Sequence, residues 1–185
     1  MAPKSLLVVD FLSIKHFTRR QLNDFDCGHA EMNRYLHQMA KTNDKKNLSP
    51  CLLVVPKGKD EPILGYVSVL NSTVEKGDPP APQLKGFPNY PIPVMLIGRL
   101  AVSIRYQSQG IGKRILMHVF VTHVKAVREL GIGSVGVITD AIDENAVCFY
   151  KKHDFNVLPG QETFPKRMFI PNATVFDAYD GTATD

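Results

Sequence analysis

The sequence predicts an α/β (α+β) fold, a central mixed sheet with helices packed on it, and three features carry that prediction. Two short apolar runs, 51–55 and 63–70, flank a turn segment with Pro56, Gly58 and Asp60, the pattern of an antiparallel hairpin. The nearly continuous apolar stretch formed by Val94-Met95-Leu96-Ile97 and Leu100-Ala101-Val102 reads as a strand covered on both faces. That strand leads through a glycine-bearing turn into an amphipathic helix. The next strand, 135–138, can then lie parallel to it through a right-handed crossover. With 185 residues, 44% of them hydrophobic and 22% charged, the chain suits one domain and is too apolar for wholesale disorder.

Taken in order, the first apolar run, Leu6 to Val9, is cut by Asp10 before it reaches the length of a secretory core, and no small-residue cleavage site follows. No uncharged apolar run reaches the ~18 residues of a membrane span, so a cytoplasmic protein is expected. A helix starts near Gly28, with Asp26 or Gly28 as its cap and Glu31 in its first turn. Met32, Tyr35, Leu36 and Met39 give it one apolar stripe. The polar stretch 41–47 reads as a loop, and the hairpin follows. Residues 71–93 hold six of the 13 prolines, which excludes regular helix and predicts a semi-rigid loop. That loop is either the rim of a substrate entrance or a surface excursion. Ile115, Leu116, Val119, Phe120, His123, Val127 and Leu130 then line one side of a helix of about 18 residues, stopped by Gly131. A shorter helix over 143–153 and a last strand at 168–170 complete a domain expected to span 1–177. The small, acidic segment 178–185 reads as a flexible tail.

Lys and Arg outnumber Asp and Glu by 22 to 18, a net charge of +4 with a pI near 8.9. So small a surplus is compatible with an anionic ligand and does not show nucleic-acid binding. Cys27, Cys51 and Cys148 form neither a disulfide framework nor a zinc pattern, and no metal is expected. They read as three buried free thiols, with a Cys–His nucleophile as the competing reading. His16, His29, His37, His118, His123 and His153 show no spacing of a site.

The chemistry concentrates at 107–114. Strand, glycine turn and helix make a phosphate cradle, because successive backbone N–H groups form a concave nest and the helix N-terminus adds partial positive charge. Gly110 and Gly112 let the backbone approach a pyrophosphate closely, and Lys113 and Arg114 place two cations where the helix dipole disfavours them. The spacing is neither that of a Walker loop nor that of a dinucleotide fingerprint. What remains is QxxGxG, in Gln107-Ser108-Gln109-Gly110-Ile111-Gly112. It resembles the acyl-CoA-binding signature of the GCN5-related N-acetyltransferases, the GNAT superfamily. One strand downstream, Asn145 near a helix start, Phe149-Tyr150 and Asp154-Phe155 resemble that family's second motif, with Asp154 where Gly is usual.

The resemblance implies a twisted sheet of about six to seven strands with a splayed pair at the acyl-CoA site, and acetyl-CoA as co-substrate. By the same resemblance, the backbone of Leu100, Ala101 and Val102 would hold the pantetheine arm. Backbone amides of Gln109, Gly110, Ile111, Gly112 and Lys113 would hold the pyrophosphate with Arg114 nearby, Gln107 being part of the signature. Asn145 and Phe149 would line the arm. Tyr150 would be the general acid, since a phenol still holds its proton at neutral pH when the thiolate leaves. No carboxylate sits convincingly as a base; Ser68, Asn71, Ser72 and Glu75 are the polar residues at the exit of the second hairpin strand.

A narrower resemblance rests on Phe25-Asp26-Cys27-Gly28 with Leu36, on Phe149-Tyr150, and above all on Pro91-Ile92-Pro93-Val94-Met95-Leu96-Ile97-Gly98-Arg99-Leu100-Ala101-Val102. These are similar to acetyltransferase toxins of type II toxin–antitoxin systems. Such proteins acetylate the α-amine of aminoacyl-tRNA, are neutralised by ribbon-helix-helix antitoxins and commonly form homodimers. The α-amine of an ester has a pKa near neutrality, so no dedicated base is needed. Lys85, Lys113, Arg114, Lys151 and Lys152 are candidate contacts for an RNA backbone, although the segment 79–90 carries a single Lys and no Arg. Ser103 stands where an acidic residue usually follows. Two other functions stay open: an acetyltransferase for a small amine or a protein N-terminus, and a non-catalytic acyl-CoA-binding module.

Overall fold

The computed structural model describes residues 8–75 and 82–182. Its seven strands are β1 (Val9–Ser13), β2 (Cys51–Pro56), β3 (Gly65–Val74), β4 (Ile92–Val102), β5 (Gly136–Ala141), β6 (Asn156–Val157) and β7 (Lys166–Pro171). They form one sheet in the order β1-β2-β3-β4-β5-β7-β6. The β4–β5 pair is parallel, with Met95, Leu96 and Ile97 opposite Val137, Ile138 and Thr139, whereas β1–β2, β2–β3, β5–β7 and β6–β7 are antiparallel. The chain divides into two compact units, residues up to 69 with 99–116, and 70–98 with 117 onward.

In the first unit, β2 and β3 are the expected hairpin, with Cys51 opposite Ser68 and Val54 opposite Gly65. The short helix α1 (Arg19–Asn23) starts with a reciprocal cap, the Thr18 and Gln21 side chains each accepting the other residue's backbone N–H. The next helix is longer than the sequence pattern indicates. α2 (Ala30–Arg34) continues through a π turn at Tyr35–Met39 into α3 (Ala40–Lys45), so most of the stretch read as a loop is helical. Tyr66 Oη donates to the Met32 carbonyl at 2.9 Å, and a side chain entering the helical ladder in this way accompanies a wider turn. Met32, Tyr35, Leu36 and Ala40 are buried and Met39 faces solvent. Buried Asp44, whose carboxylate accepts the Cys51 N–H at 3.1 Å, anchors the polar last turn. One core joins Ile14, Phe17, Leu22, Phe25, Met32 and Leu36 to the inward side chains of β2 and to Tyr66.

In the second unit, β5 lies between β4 and β7. A Cβ at Gly136 would overlap the Ile170 carbonyl and the Phe169 ring, so glycine is required there by close strand approach. The core contains Val74, Ile92, Val94, Ile138, Leu158 and Phe169. α4 (Ile111–Arg128) has the expected 18 residues and runs from one unit into the other. Gly131 follows it at φ +66, but Leu130 is 72% exposed rather than on the buried stripe. α5 (Glu144–Lys151) is capped by the Asp143 carboxylate, which accepts the Ala146 N–H at 2.7 Å.

Three further expectations are corrected. The segment from 178 to 182 is not a tail but the end of α6 (Asn172–Thr182), held by a two-bond ion pair between Arg128 and Asp180. Residues 183–185 lie outside the described residues, as do 1–7. Of the proline-rich stretch, 71–74 extend β3, 92–93 begin β4, and 76–81 lie outside the described residues. Of the three thiols only Cys51 is buried; Cys27 is half-buried and Cys148 exposed.

Candidate functional site

The first unit builds the glycine turn. After β4 the chain makes one 3₁₀ turn at Ile104–Tyr106, passes through 107–110 and enters α4. Ser108 and Gly110 adopt positive φ, +59 and +81, and this alternation curls the backbone into a nest. The first helical hydrogen bond runs from Arg114 N–H to the Gly110 carbonyl at 3.1 Å. The preceding amides of Ile111, Gly112 and Lys113 therefore have no acceptor within the helix. A Cβ at Gly110 would meet nothing within 4 Å, so the approach to these amides is open. Lys113 is exposed, Arg114 half-buried and Ile111 buried. The set fits a pyrophosphate.

The Gln107 side chain, which the motif places at the cofactor, is engaged within the fold. Its side-chain nitrogen donates to the carbonyls of Cys27 and Val102, both at 3.1 Å, and so ties the turn to β4 and to the loop before α2. Gln109 likewise donates to the Arg105 carbonyl at 3.0 Å. Leu100 and Val102 are half-buried and Ala101 is buried at the end of β4. A cleft of about 370 Å³ opens on the segment that precedes the turn, lined by Asp24, Asp26, Glu61, Ser103, Arg105 and Tyr106 among others. Three carboxylates on its wall disfavour a pyrophosphate there.

The Asp26-Cys27-Gly28 loop is itself tightly held. The Asp26 carboxylate accepts the Gly28 N–H at 2.8 Å and the Asn33 amide at 2.7 Å, which lowers its pKa. The Asp26 carbonyl accepts the Ile104 N–H at 2.9 Å. Cys27 gives its thiol to Asn33 Oδ1 at 3.1 Å, and burial raises the thiol pKa, which is not the environment of a nucleophile. Ser68 is fully buried in a cluster of hydroxyls with Ser49 and Tyr35, under an Arg99 guanidinium 5.2 Å from the Tyr35 ring, and serves the core.

The second unit carries Asn145, Phe149 and Tyr150 on α5. Asn145 is exposed and Phe149 half-buried. Tyr150 is 6% exposed and packs against Phe149 at 5.1 Å and Phe155 at 5.2 Å between ring centroids. Burial pushes its phenol up to about 12, against the opposing effect of a hydrogen bond with Thr139. The proton is thus retained at every physiological pH. Thr139, buried two residues from the end of β5, is not marked by the motifs. Asp154 closes α5 at φ +65, and the Phe155 N–H returns to the Tyr150 carbonyl at 3.2 Å, so the left-handed turn expected at a usual glycine position is made by Asp.

A mixed sheet, a backbone nest at the start of α4 and a tyrosine buried on α5 are what the two units separately present. The family model of the acetyltransferase (GNAT) domain matches residues 52–157, more than half of the chain, and the protein belongs to the GNAT acetyltransferases. It is an N-acetyltransferase that takes its acetyl group from acetyl-CoA. The chain is similar to the tRNA-acetylating toxin of Mycobacterium tuberculosis (strain ATCC 25618 / H37Rv), with 26% identity over 138 residues, 75% of this chain and 80% of that protein. It shares its fold with AtaT complexed with acetyl-methionyl-tRNAfMet, at 23% identity and a TM-score of 0.78, over 93% of this chain and 99% of that one. AtaTR bound with acetyl-CoA has the same fold at 22% identity and a TM-score of 0.75, over 92% and 98%.

Proposed function

We propose that this protein acetylates the α-amine of aminoacyl-tRNA and is the toxin of a toxin–antitoxin pair. The observation that carries the reading is the similarity to the mycobacterial tRNA-acetylating toxin over three quarters of the chain. The stretch 91–102, of which 92–102 form β4, supports it. The chain through the end of α6 acts as a single catalytic domain in the cytoplasm, as a homodimer, and a ribbon-helix-helix antitoxin is the partner.

The amides of Gly110, Ile111, Gly112 and Lys113 bind the pyrophosphate of acetyl-CoA, with Lys113 and Arg114 balancing its charge. Gln107 holds the nest in shape. The backbone of 100–102 accepts the pantetheine arm, and Asn145 and Phe149 line it. An α-amine beside an ester has a pKa near neutrality, so a useful fraction is unprotonated without a side-chain base. As the amine forms its bond to the acetyl carbon and the carbon–sulfur bond breaks, Tyr150 gives its proton to the sulfur. The amine's surplus proton leaves to water.

The test is acetyl transfer from labelled acetyl-CoA to a pool of charged tRNA, with small amines and peptides as parallel acceptors. Charged tRNA is acetylated by the wild type, and Tyr150→Phe loses about a hundredfold in kcat. Transfer to small amines or peptides with charged tRNA inert overturns the acceptor, and acetyl-CoA binding without any transfer overturns catalysis.

A further inference from the structure

The cleft that precedes the glycine turn has no part in the reaction above. It belongs wholly to the first unit and holds about 370 Å³, the size of a small-molecule pocket. Asp24, Asp26 and Glu61 line it with a single cation, Arg105, and among the described residues Arg105 pairs with none of them. Asp26 is held ionised by the Gly28 N–H and the Asn33 amide. Both bonds fall on its Oδ1, which leaves Oδ2 for a ligand.

Ser103 adds an independent observation. It is 6% exposed and lines the cleft, yet its hydroxyl neither caps the 3₁₀ turn that follows nor bonds another described residue. A buried hydroxyl without a partner is unfavourable, and a donor entering the cleft satisfies it. The carboxylates and this hydroxyl all accept hydrogen bonds from an ammonium group. Among the described residues no three His, Cys, Asp or Glu side chains are grouped to hold one metal ion, so the charges are too dispersed for a compact divalent cation. Pro62, Ile63 and Ile104 add apolar lining. Ammonium groups joined by methylene stems match both the dispersed charge and that apolar surface.

Cleft and nest also share one segment: 103–106 line the cleft and 107–113 continue into the nest. The Ile104 N–H donates to the Asp26 carbonyl at 2.9 Å and the Gln107 side chain to the Cys27 carbonyl at 3.1 Å, so the loop bearing Asp26 is bonded to this segment twice. Unneutralised carboxylates beside it oppose an anion in the nest, and a cation seated on them removes that repulsion. We propose that the cleft is an effector site for a diamine or polyamine, whose binding strengthens the hold of the nest on coenzyme A. The coupling rests on the nest taking the pyrophosphate; the site itself does not, and neither depends on which acceptor is acetylated.

The experiment titrates the full chain with spermidine by calorimetry, alone and with saturating coenzyme A, which carries the pyrophosphate but no acetyl group to transfer. We expect one spermidine per chain, with a Kd that falls about threefold when coenzyme A is present, and by reciprocity the same factor for coenzyme A when spermidine is present. Asp24→Asn/Glu61→Gln should weaken spermidine about tenfold and leave acetyl transfer in the absence of spermidine unchanged. Ser103→Ala should weaken it severalfold with an unchanged Tm, because the hydroxyl has no partner to lose in the fold. Absence of binding, or equal binding by Asp24→Asn/Glu61→Gln, overturns the site. So does Mg²⁺ displacing spermidine equally well at equal charge, the mark of a diffuse counterion effect. Spermidine bound at the cleft with coenzyme A affinity unmoved overturns the effector role. Coenzyme A affinity unmoved by Lys113→Ala/Arg114→Ala removes the nest reading and the coupling with it, while the spermidine titration alone still decides the site.

Discussion

Gln107 uses its side-chain amide on two main-chain carbonyls, those of Cys27 and Val102, at 3.1 Å each. An amide so engaged braces the turn, and the sequence motif alone does not reveal those bonds. Replacing it by Ala should raise the Kd for acetyl-CoA severalfold, read by titration calorimetry, and cost about 1 kcal/mol of stability, as expected for exposed neutral hydrogen bonds. His123 makes the second argument at this scale. It is fully buried, its Nε2 bonds Asn172 Oδ1 at 2.7 Å and its Nδ1 has no partner. Burial lowers its pKa below the ordinary 6.5, and that of half-exposed His118 as well. The unfolded chain therefore binds more protons than the folded one below about pH 6.5. Stability is complete above that value and falls as the pH drops through the folded pKa. Thermal midpoints at about pH 7.5 and 5.5 should show the loss, and His123→Gln, which still offers Asn172 a donor, should flatten it.

At the scale of elements, strong periodicity was readable and polar helix was not. α4 matches its predicted length because Ile115, Leu116, Val119, Phe120 and His123 repeat at helical spacing and are all buried. α3 escaped because its burial is carried by Ala40 and Asp44, a small residue and a charged one whose partners lie at Lys15 and Cys51. α6 escaped for a like reason: it holds Gly181 and Asp180, and its anchors are Val175, the Asn172–His123 bond and the Arg128–Asp180 pair. No local pattern encodes a partner so distant in sequence. The end of α5 offers a direct test of element logic. Asp154 sits at φ +65, where a non-glycine residue is strained. Asp154→Gly should stabilise the fold by about 0.5–1 kcal/mol in chemical denaturation and leave kcat unchanged. Asp143→Ala at the other end should cost about 1 kcal/mol through the lost cap.

For the whole molecule, the sheet order was only partly legible. The β2–β3 hairpin and the parallel β4–β5 pair follow from loop length and crossover chemistry, whereas β1 is cut from view by Asp10 and the two-residue β6 is too short to signal itself. Net charge is the other global property, and +4 on 185 residues sets the terms of the acceptor test. If the nest takes the pyrophosphate as proposed, Lys113 and Arg114 face it and acetyl-CoA accounts for part of the basic excess. A folded RNA requires further phosphate contacts, and each releases counterions, so affinity falls linearly in log–log with salt. With about three such contacts, a fourfold rise in KCl should raise the KM for aminoacyl-tRNA about twenty- to fortyfold. On the proposed reading acetyl-CoA is held largely by fixed backbone amides at short range, where screening is weaker, and its KM should move far less. A small-amine acceptor carries no phosphates, so a KM for it would be nearly flat over the same range. Initial rates at varied acceptor and KCl therefore distinguish a nucleic-acid substrate from a metabolite. A slope near zero with charged tRNA as acceptor would show that the basic residues meet coenzyme A alone.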